Sequence, residues 1–283
     1  MNLSRVLAFV FAGVAFVVTS AQAPRPPNTS AKAVTQAAFR YVDDYEKQLS
    51  FLIAEEDGTQ ESYSSAPSAP RQHRATKAEV FLTFLDADRI WLTVRDVTEV
   101  DGRPVEKKKD LRALLTAGPI LGLMRTLAEE NSRFNIGRIY RNFNEPTLGL
   151  LVLDARHRDR FKFDRKKVES SAAGPLVTLA FTEKKSPTLI HGVNGQEVFS
   201  TGEIVIEAAT GRVRQTRLEI GSDLVHARLA TTFAEDTRLN IWVPDTFTEF
   251  YTDQAKTRRA FETTVCASRY TNYRRFEVQV RIK

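Results

Sequence analysis

The chain has 283 residues, 42% of them apolar and 27% charged, with a formal net charge of +6. That is the balance of a globular protein and excludes a disordered or collagen-like chain. The basic residues are scattered, with short runs only at Lys107-Lys108-Lys109 and Arg165-Lys166-Lys167, which reads as a solvated basic surface and not as a nucleic-acid-binding stripe.

Arg5 precedes thirteen uncharged residues, Val6 to Val18, and the small residues Thr19, Ser20 and Ala21 follow. A basic start, an apolar middle and a small-residue exit are the order of a secretory signal peptide. The apolar run is shorter than the roughly 20 residues of a membrane span. Pro24 disfavours a cut after Ala23, so the expected signal peptide is 1–21, with a mature start at Gln22. No cysteine follows the apolar run to take a lipid anchor, and no later segment is long and apolar enough to span a membrane. Residues 22–29 are Pro-rich and read as an extended leader. Residues 30–283 are expected to form a single domain, delivered to the periplasm or secreted.

A helix is expected from Ser30 to about Ile53, because Val34, Ala38, Tyr41, Tyr45, Leu49 and Leu52 fall on one stripe. Thr59 to Thr76, rich in Ser, Pro, Ala and charge, reads as an exposed loop. Ala78 to Leu85 and Ile90 to Val97 are strand-like, joined by a polar turn at 86–89, and Asp101-Gly102 is a tight-turn dipeptide. Leu111, Leu114 and Leu115 mark a short helix stopped by Gly118. Pro119 suits the first turn of the next helix, whose buried stripe is Ile120, Leu123, Met124 and Leu127. Asn144 to Leu153 fits either a short helix or a buried strand. From Phe161 onward strands dominate: Val177 to Phe181, a hairpin of 202–208 and 212–220 around Ala209-Thr210-Gly211, Val225 to Phe233, Leu239 to Tyr251 with Pro244 marking an edge or bulge, and a period-two run from Phe276 to Ile282.

The expected fold is therefore α+β: a large curved antiparallel β-sheet, an open half-barrel, covered by an N-terminal helix and a mid-chain helical segment. The search for chemistry returns mainly exclusions. The four histidines, His73, His157, His191 and His226, are far apart in sequence, and no zinc, calcium, phosphate-loop or nucleophile-elbow motif is present. No metal, cofactor or catalytic residue is expected. The lone Cys266, flanked by Val265 and Ala267, reads as a small buried hydrophobe. The aromatic and methionine residues suggest instead an apolar ligand groove between sheet and helices, lined by Trp91, Met124, Phe134, Trp242 and Phe250.

Several stretches carry a family likeness together: Val94-Arg95-Asp96-Val97 running into Glu99-Val100-Asp101-Gly102-Arg103-Pro104-Val105, Phe134-Asn135-Ile136-Gly137 with Pro146-Thr147-Leu148, Thr210-Gly211-Arg212-Val213, Leu239 to Pro244, and Tyr270-Thr271-Asn272-Tyr273-Arg274-Arg275-Phe276. In this the chain resembles a group of uncharacterised exported proteins frequent in Acidobacteria. More remotely it is similar to periplasmic lipoprotein carriers, although Cys266-Ala267-Ser268 stands where a glycine usually precedes the last strand. That likeness implies an open, helix-lidded half-barrel that holds acyl chains. The expected function is an exported, non-catalytic carrier for a lipid-like or lipoprotein ligand. An envelope protein-interaction module is the alternative, and an unrecognised hydrolase the second alternative.

Overall fold

The computed structural model describes residues 26–49, 51–64, 69–85, 90–117, 120–139, 141, 145–192, 195–222, 224–253 and 261–275. The signal peptide, the first residues of the leader, the 86–89 turn, Gly118-Pro119, Asn144 and the Phe276 to Ile282 run lie outside the described residues.

Helix α1 (Ala31–Gln48) leads into strands β1 (Leu52–Ser64), β2 (Gln72–Leu85), β3 (Ile90–Val100) and the two-residue β4 (Arg103–Pro104). Helices α2 (Leu111–Ala117) and α3 (Met124–Ser132) follow, and then 3-10 turns at Leu148–Val152 and Arg158–Arg160. The rest is β5 (Phe161–Ser171), β6 (Gly174–Glu183), β7 (Ile190–His191), β8 (Glu197–Val198), β9 (Ser200–Glu207), β10 (Val213–Gly221), β11 (Val225–Asp236), β12 (Ile241–Asp253) and β13 (Glu262–Arg275). All but β7 and β8 join one open antiparallel sheet of eleven strands, ordered β4-β3-β2-β1-β13-β12-β11-β10-β9-β6-β5. β7 and β8 form a small ribbon apart.

The sheet must curl. β3 and β5 are nine strand spacings apart in that order, about 43 Å if the sheet were flat. Yet α1 touches both: Tyr45 stacks on Trp91 of β3 at 5.8 Å, and Phe39 meets Phe163 of β5 edge-on at 5.8 Å. Six residues separate those two contacts along the helix, a rise of about 9 Å. Only a sheet wrapped around the helix brings its two margins that close. The concave face then carries one apolar cluster, from Val80, Leu82 and Trp91 through Leu52, Phe247 and Leu229 to Ile204, Leu179 and Phe161.

α1 begins where the side chain of Ser30 accepts the backbone N–H of Ala33. It buries Val34, Ala38, Val42 and Tyr45 toward the concave face, each large one worth roughly 1.5–3 kcal/mol over exposure. The helix ends at Gln48 and not near Ile53. Phe51 takes a positive φ of 39°, the chain turns, and Leu52 and Ile53 then point to opposite faces of β1.

The expected loop at Thr59 to Thr76 is corrected. Residues 59–64 complete β1 and 72–76 begin β2, paired from Gly58↔Thr76 to Ser62↔Gln72. The polar composition has a different cause: this end of the concave face is lined with polar side chains, so the strands here need few apolar ones. Residues 148–152, undecided between helix and strand, form a 3-10 turn with Leu148, Leu150 and Val152 buried.

The mid-chain helices cover the opposite face of the sheet from α1. Ile53, Phe81, Leu92 and Val94, which alternate with concave-face residues, pack beneath Leu111, Leu115 and Leu127. α3 also caps the margin of the sheet. The Asn131 side chain accepts the N–H of Arg95 at 2.7 Å and donates to the carbonyl of Thr93 at 2.8 Å, replacing a neighbouring strand. At the other margin β5 is mostly exposed and rich in Lys and Arg, which discourages pairing with a second chain.

Candidate functional site

Directly opposed residues of antiparallel strands share a face, so the register builds the site row by row. One row across the concave face is Thr76, Gly58, Ser268 and Phe247. Its neighbours are Ala78, Glu56 and Tyr270 on one side and Arg74, Gln60, Cys266 and Glu249 on the other. The short side chains of Thr76, Gly58 and Ser268 leave a cavity of about 30 Å³, roofed by Asn131, Phe134, Asn135 and Arg141. A Cβ on Gly58 would lie 2.7 Å from the Thr76 hydroxyl.

The charged walls of this cavity are buried. The Arg95 Nε donates to both Glu56 oxygens, at 3.0 and 2.9 Å, and its Nη2 donates to the Tyr270 hydroxyl at 3.1 Å. Glu249 accepts from the Tyr251 hydroxyl at 2.5 Å. Burial holds its carboxyl above the usual range, opposed by that hydrogen bond and by the charges of Arg95 and Arg141. Arg141 is 1% exposed. It donates to Cys266 Sγ, to Gln60 Oε1 at 2.7 Å and to the Ile136 carbonyl at 3.1 Å, and it lies 5.7 Å from the centre of the Tyr251 ring. Its Nε has no partner, and no carboxylate forms an ion pair with it among the described residues. Burial and the Glu249 charge push the Cys266 thiol up to about 12, so it is a neutral thiol and not a nucleophile.

A second polar group fastens residues 145–156 over the apolar part of the concave face. Glu145 accepts from the hydroxyls of Thr93 and Thr147, each at 2.5 Å, and the Pro146 carbonyl accepts from Thr231 at 2.7 Å. Asp154, fully buried, accepts from the Arg156 backbone and guanidinium at 2.6–2.9 Å. Although burial pushes the Asp154 carboxyl up, the Arg156 and Glu46 hydrogen bonds prevail and hold it well below the usual range.

Beneath α1 the aromatic rings form a ladder, Tyr41 on Tyr45, Tyr45 on Trp91 and Trp91 on Phe84, at 5.7, 5.8 and 5.1 Å. The Tyr45 hydroxyl and the Trp91 indole N–H are both buried there without a hydrogen-bond partner. Two open recesses lie at the surface. One, of about 500 Å³, has Tyr41, Arg40, Arg212 and Trp242 in its wall. The other, of about 530 Å³, is lined by Arg71, Arg74 and Arg138 with Gln72 and Glu262.

The five residues expected to line a groove are not brought together. Trp91 is buried in the ladder, Met124 packs on the opposite face, and Phe134 roofs the polar cavity. Trp242 sits at the α1 recess with Arg212 and Arg214 over its ring. Phe250 lies under Arg228 and points away from the concave-facing Glu249 and Tyr251. Glu56, Arg141 and Glu249 escaped the sequence reading, and Tyr45 and Arg95 entered it only as part of the α1 stripe and of a likeness stretch. A signal existed for some of them: in Ala54-Glu55-Glu56 and in Phe247-Thr248-Glu249-Phe250-Tyr251, a carboxylate occupies an inward position between apolar ones. No histidine side chain hydrogen-bonds a serine or carboxylate, and no group of three metal-ligating side chains occurs among the described residues.

No protein-family model matches the chain, and no curated protein matches it in sequence. Among solved structures it is similar to a LolA superfamily protein from Nitrosomonas europaea, at 11% identity and a TM-score of 0.32, over 89% of this chain and 96% of that one. It is also similar to an outer membrane lipoprotein-sorting protein domain from Vibrio parahaemolyticus, at 10% identity and a TM-score of 0.35, over 88% and 95%. Lipovitellin, the subject of a structure on lipid–protein interactions, matches at 7% identity and a TM-score of 0.32, over 82% of this chain and 26% of that one. These are loose likenesses of outline, and they leave the function to be argued from this chain's own residues.

Proposed function

We propose that the protein is an exported, non-catalytic binding protein that holds the acyl part of a lipid or lipoprotein against its concave face. Its signal peptide, residues 1–21, would deliver it to the periplasm. The observation that carries the reading is the pair of buried donors under α1. The Tyr45 hydroxyl and Trp91 N–H have no partner, and each unsatisfied buried group costs roughly 1–3 kcal/mol. An ester or amide carbonyl at the head of an acyl chain would accept from either, while the surrounding apolar cluster would take the chain. Tyr45 and Trp91 are buried under α1, so in this reading α1 or the 145–154 segment swings off the sheet to admit the chain. The fastenings of that segment are side-chain contacts and 3-10 turns, not a strand ladder. In this reading Trp91 is the member of the expected groove that meets the ligand.

Native mass spectrometry of the mature protein from its own envelope tests this. Acyl lipid is expected to co-purify, and the stripped protein is expected to take up a fluorescent fatty-acyl probe saturably, with Tyr45→Phe binding it more weakly. No recovered lipid together with no saturable uptake sinks the proposal.

A second reading rests on the arginine-lined recess at Arg71, Arg74 and Arg138, whose size falls in the range of ligand sites. There the sheet acts as scaffold for an acidic envelope protein. A co-purifying acidic protein whose capture is lost in an Arg71→Glu, Arg138→Glu variant favours it over the carrier.

A further inference from the structure

We propose that the cavity beside Arg141 is a binding site for a small anion of chloride size. The case begins with the charges around it. Glu56 and Arg95 form an ion pair, the Arg95 Nε shared between both carboxylate oxygens, and cancel. That leaves Arg141, whose acceptors are a side-chain amide, a backbone carbonyl and a thiol, all neutral. Glu249 lines the same cavity, yet it accepts from the Tyr251 hydroxyl and forms no ion pair with Arg141 among the described residues. A guanidinium that is 1% exposed with no carboxylate at ion-pair distance is a costly arrangement, because its water shell is lost and Glu249 acts on it only through space.

The cavity is shaped for the missing counter-ion. Its lining holds the hydroxyls of Thr76 and Ser268, the amides of Asn131 and Asn135, which also donate to the carbonyls of Thr93 and Arg141, and the carboxylates of Glu56 and Glu249; Arg141, in the same lining, keeps an Nε without a partner. At about 30 Å³ it admits one or two water-sized spheres, which suits a monatomic ion and excludes sulfate or a lipid phosphate. Gly58 keeps the floor open, since a side chain there would meet Thr76. A water molecule would satisfy the Nε but leave the charge uncompensated; an anion does both. The ion would also tie Phe134, Asn135 and Arg141 down onto β1 and β13.

The test is thermal unfolding of the purified protein in sodium bromide against sodium sulfate at equal ionic strength. The general salt order makes sulfate the stabiliser, so a specific site reveals itself by reversing that order. A saturable rise of about 3 °C in bromide is expected, with bromide found by anomalous scattering beside Arg141 in crystals. Arg141→Gln is expected to lose the rise. Because that change also strips donors from Gln60 and Cys266 and endangers the fold, Ser268→Asp is the companion variant. It places a carboxylate in the cavity, and is expected to raise the unfolding midpoint in halide-free buffer and to abolish the bromide response. Bromide no better than sulfate, a cavity holding only water in bromide-soaked crystals, or a Ser268→Asp protein less stable than its parent overturns the proposal.

Discussion

The concave face of this sheet is apolar at one end and charged at the other, and the charged end is where single residues matter most. Glu56 and Arg95 are 4% and 6% exposed, too deep for water to take over if one partner is lost. Glu56→Ala is expected to destabilise the protein by roughly 3–5 kcal/mol, because it strands a buried guanidinium. Replacing both partners, Glu56→Leu with Arg95→Met, is expected to recover most of that loss, since two apolar groups need no counter-charge. Urea unfolding of the two single variants and the double one measures this. Additive losses would show that the pair does not act as a unit. Cys266 gives a second residue-scale readout. Its thiol, buried and pushed up to about 12, is expected to resist a disulfide reagent at pH 8 in the folded protein and to react at once in urea. Prompt reaction in native buffer would mean that this end of the sheet opens freely. Cys266 was legible in the sequence as a buried thiol. Glu56 was legible only as a carboxylate on the buried side of an alternating strand, and Arg141 not at all, because no periodicity surrounds it.

Among the elements, α1 holds the sheet's two margins together, and one turn fixes its position. Gly211 follows β9 with φ at 77°, and a Cβ there would lie 2.2 Å from the Ala37 carbonyl of α1. Such contact with backbone cannot be relieved by a side-chain rotation. Gly211→Ala is therefore expected to cost about 1–3 kcal/mol from overpacking alone, with further strain from the left-handed backbone. Because it pries the helix from the turn, it should also loosen the Tyr45–Trp91 stack. In a Trp242→Phe background Trp91 is the remaining tryptophan, and its emission should shift to the red in the glycine variant. An unshifted spectrum with unchanged stability would mean that the helix is seated elsewhere. The elements themselves were largely legible, because alternation marks strands and a four-three stripe marks α1. The failure at Thr59 to Thr76 is instructive. Composition there resembles a loop, but residues 59–64 pair with β13 on one side and β2 on the other, and their inward side chains, Gln60 and Ser62, face a polar chamber. Strand pairing survives over 59–64 and 72–76 while alternation of hydrophobicity does not.

At the scale of the whole molecule, the open antiparallel sheet was legible from the run of strands, but the degree of curling was not. It follows from α1 touching β3 and β5 at once, a contact between residues more than a hundred positions apart that no local pattern encodes. The same closure brings carboxylates from distant elements into the interior, and this sets how stability depends on pH. Asp154 has a folded value below its ordinary 3.8, so its contribution is present above that value and is lost as pH falls beneath it. Glu249 is the reverse case. Burial raises it above its ordinary 4.5, so the folded state holds the proton more tightly than the unfolded chain does. Stability from this group is full below 4.5 and declines as pH rises through the folded value. Glu145, raised by burial as well, adds to the same decline. The protein is thus expected to lose stability on both sides of a maximum near pH 4–5 so far as these groups dictate. Glu249→Gln keeps an acceptor for Tyr251 but cannot ionise. Relative to the parent, the variant should gain stability as pH rises above 4.5 and hold that gain once the folded value of Glu249 is passed, while the acid limb, which belongs to Asp154, stays in place. Urea midpoints across that range decide the matter. Parallel curves for parent and variant would mean that Glu249 is ionised in the fold at no cost, which places the counter-charge for Arg141 on Glu249 itself and leaves the neighbouring cavity to water.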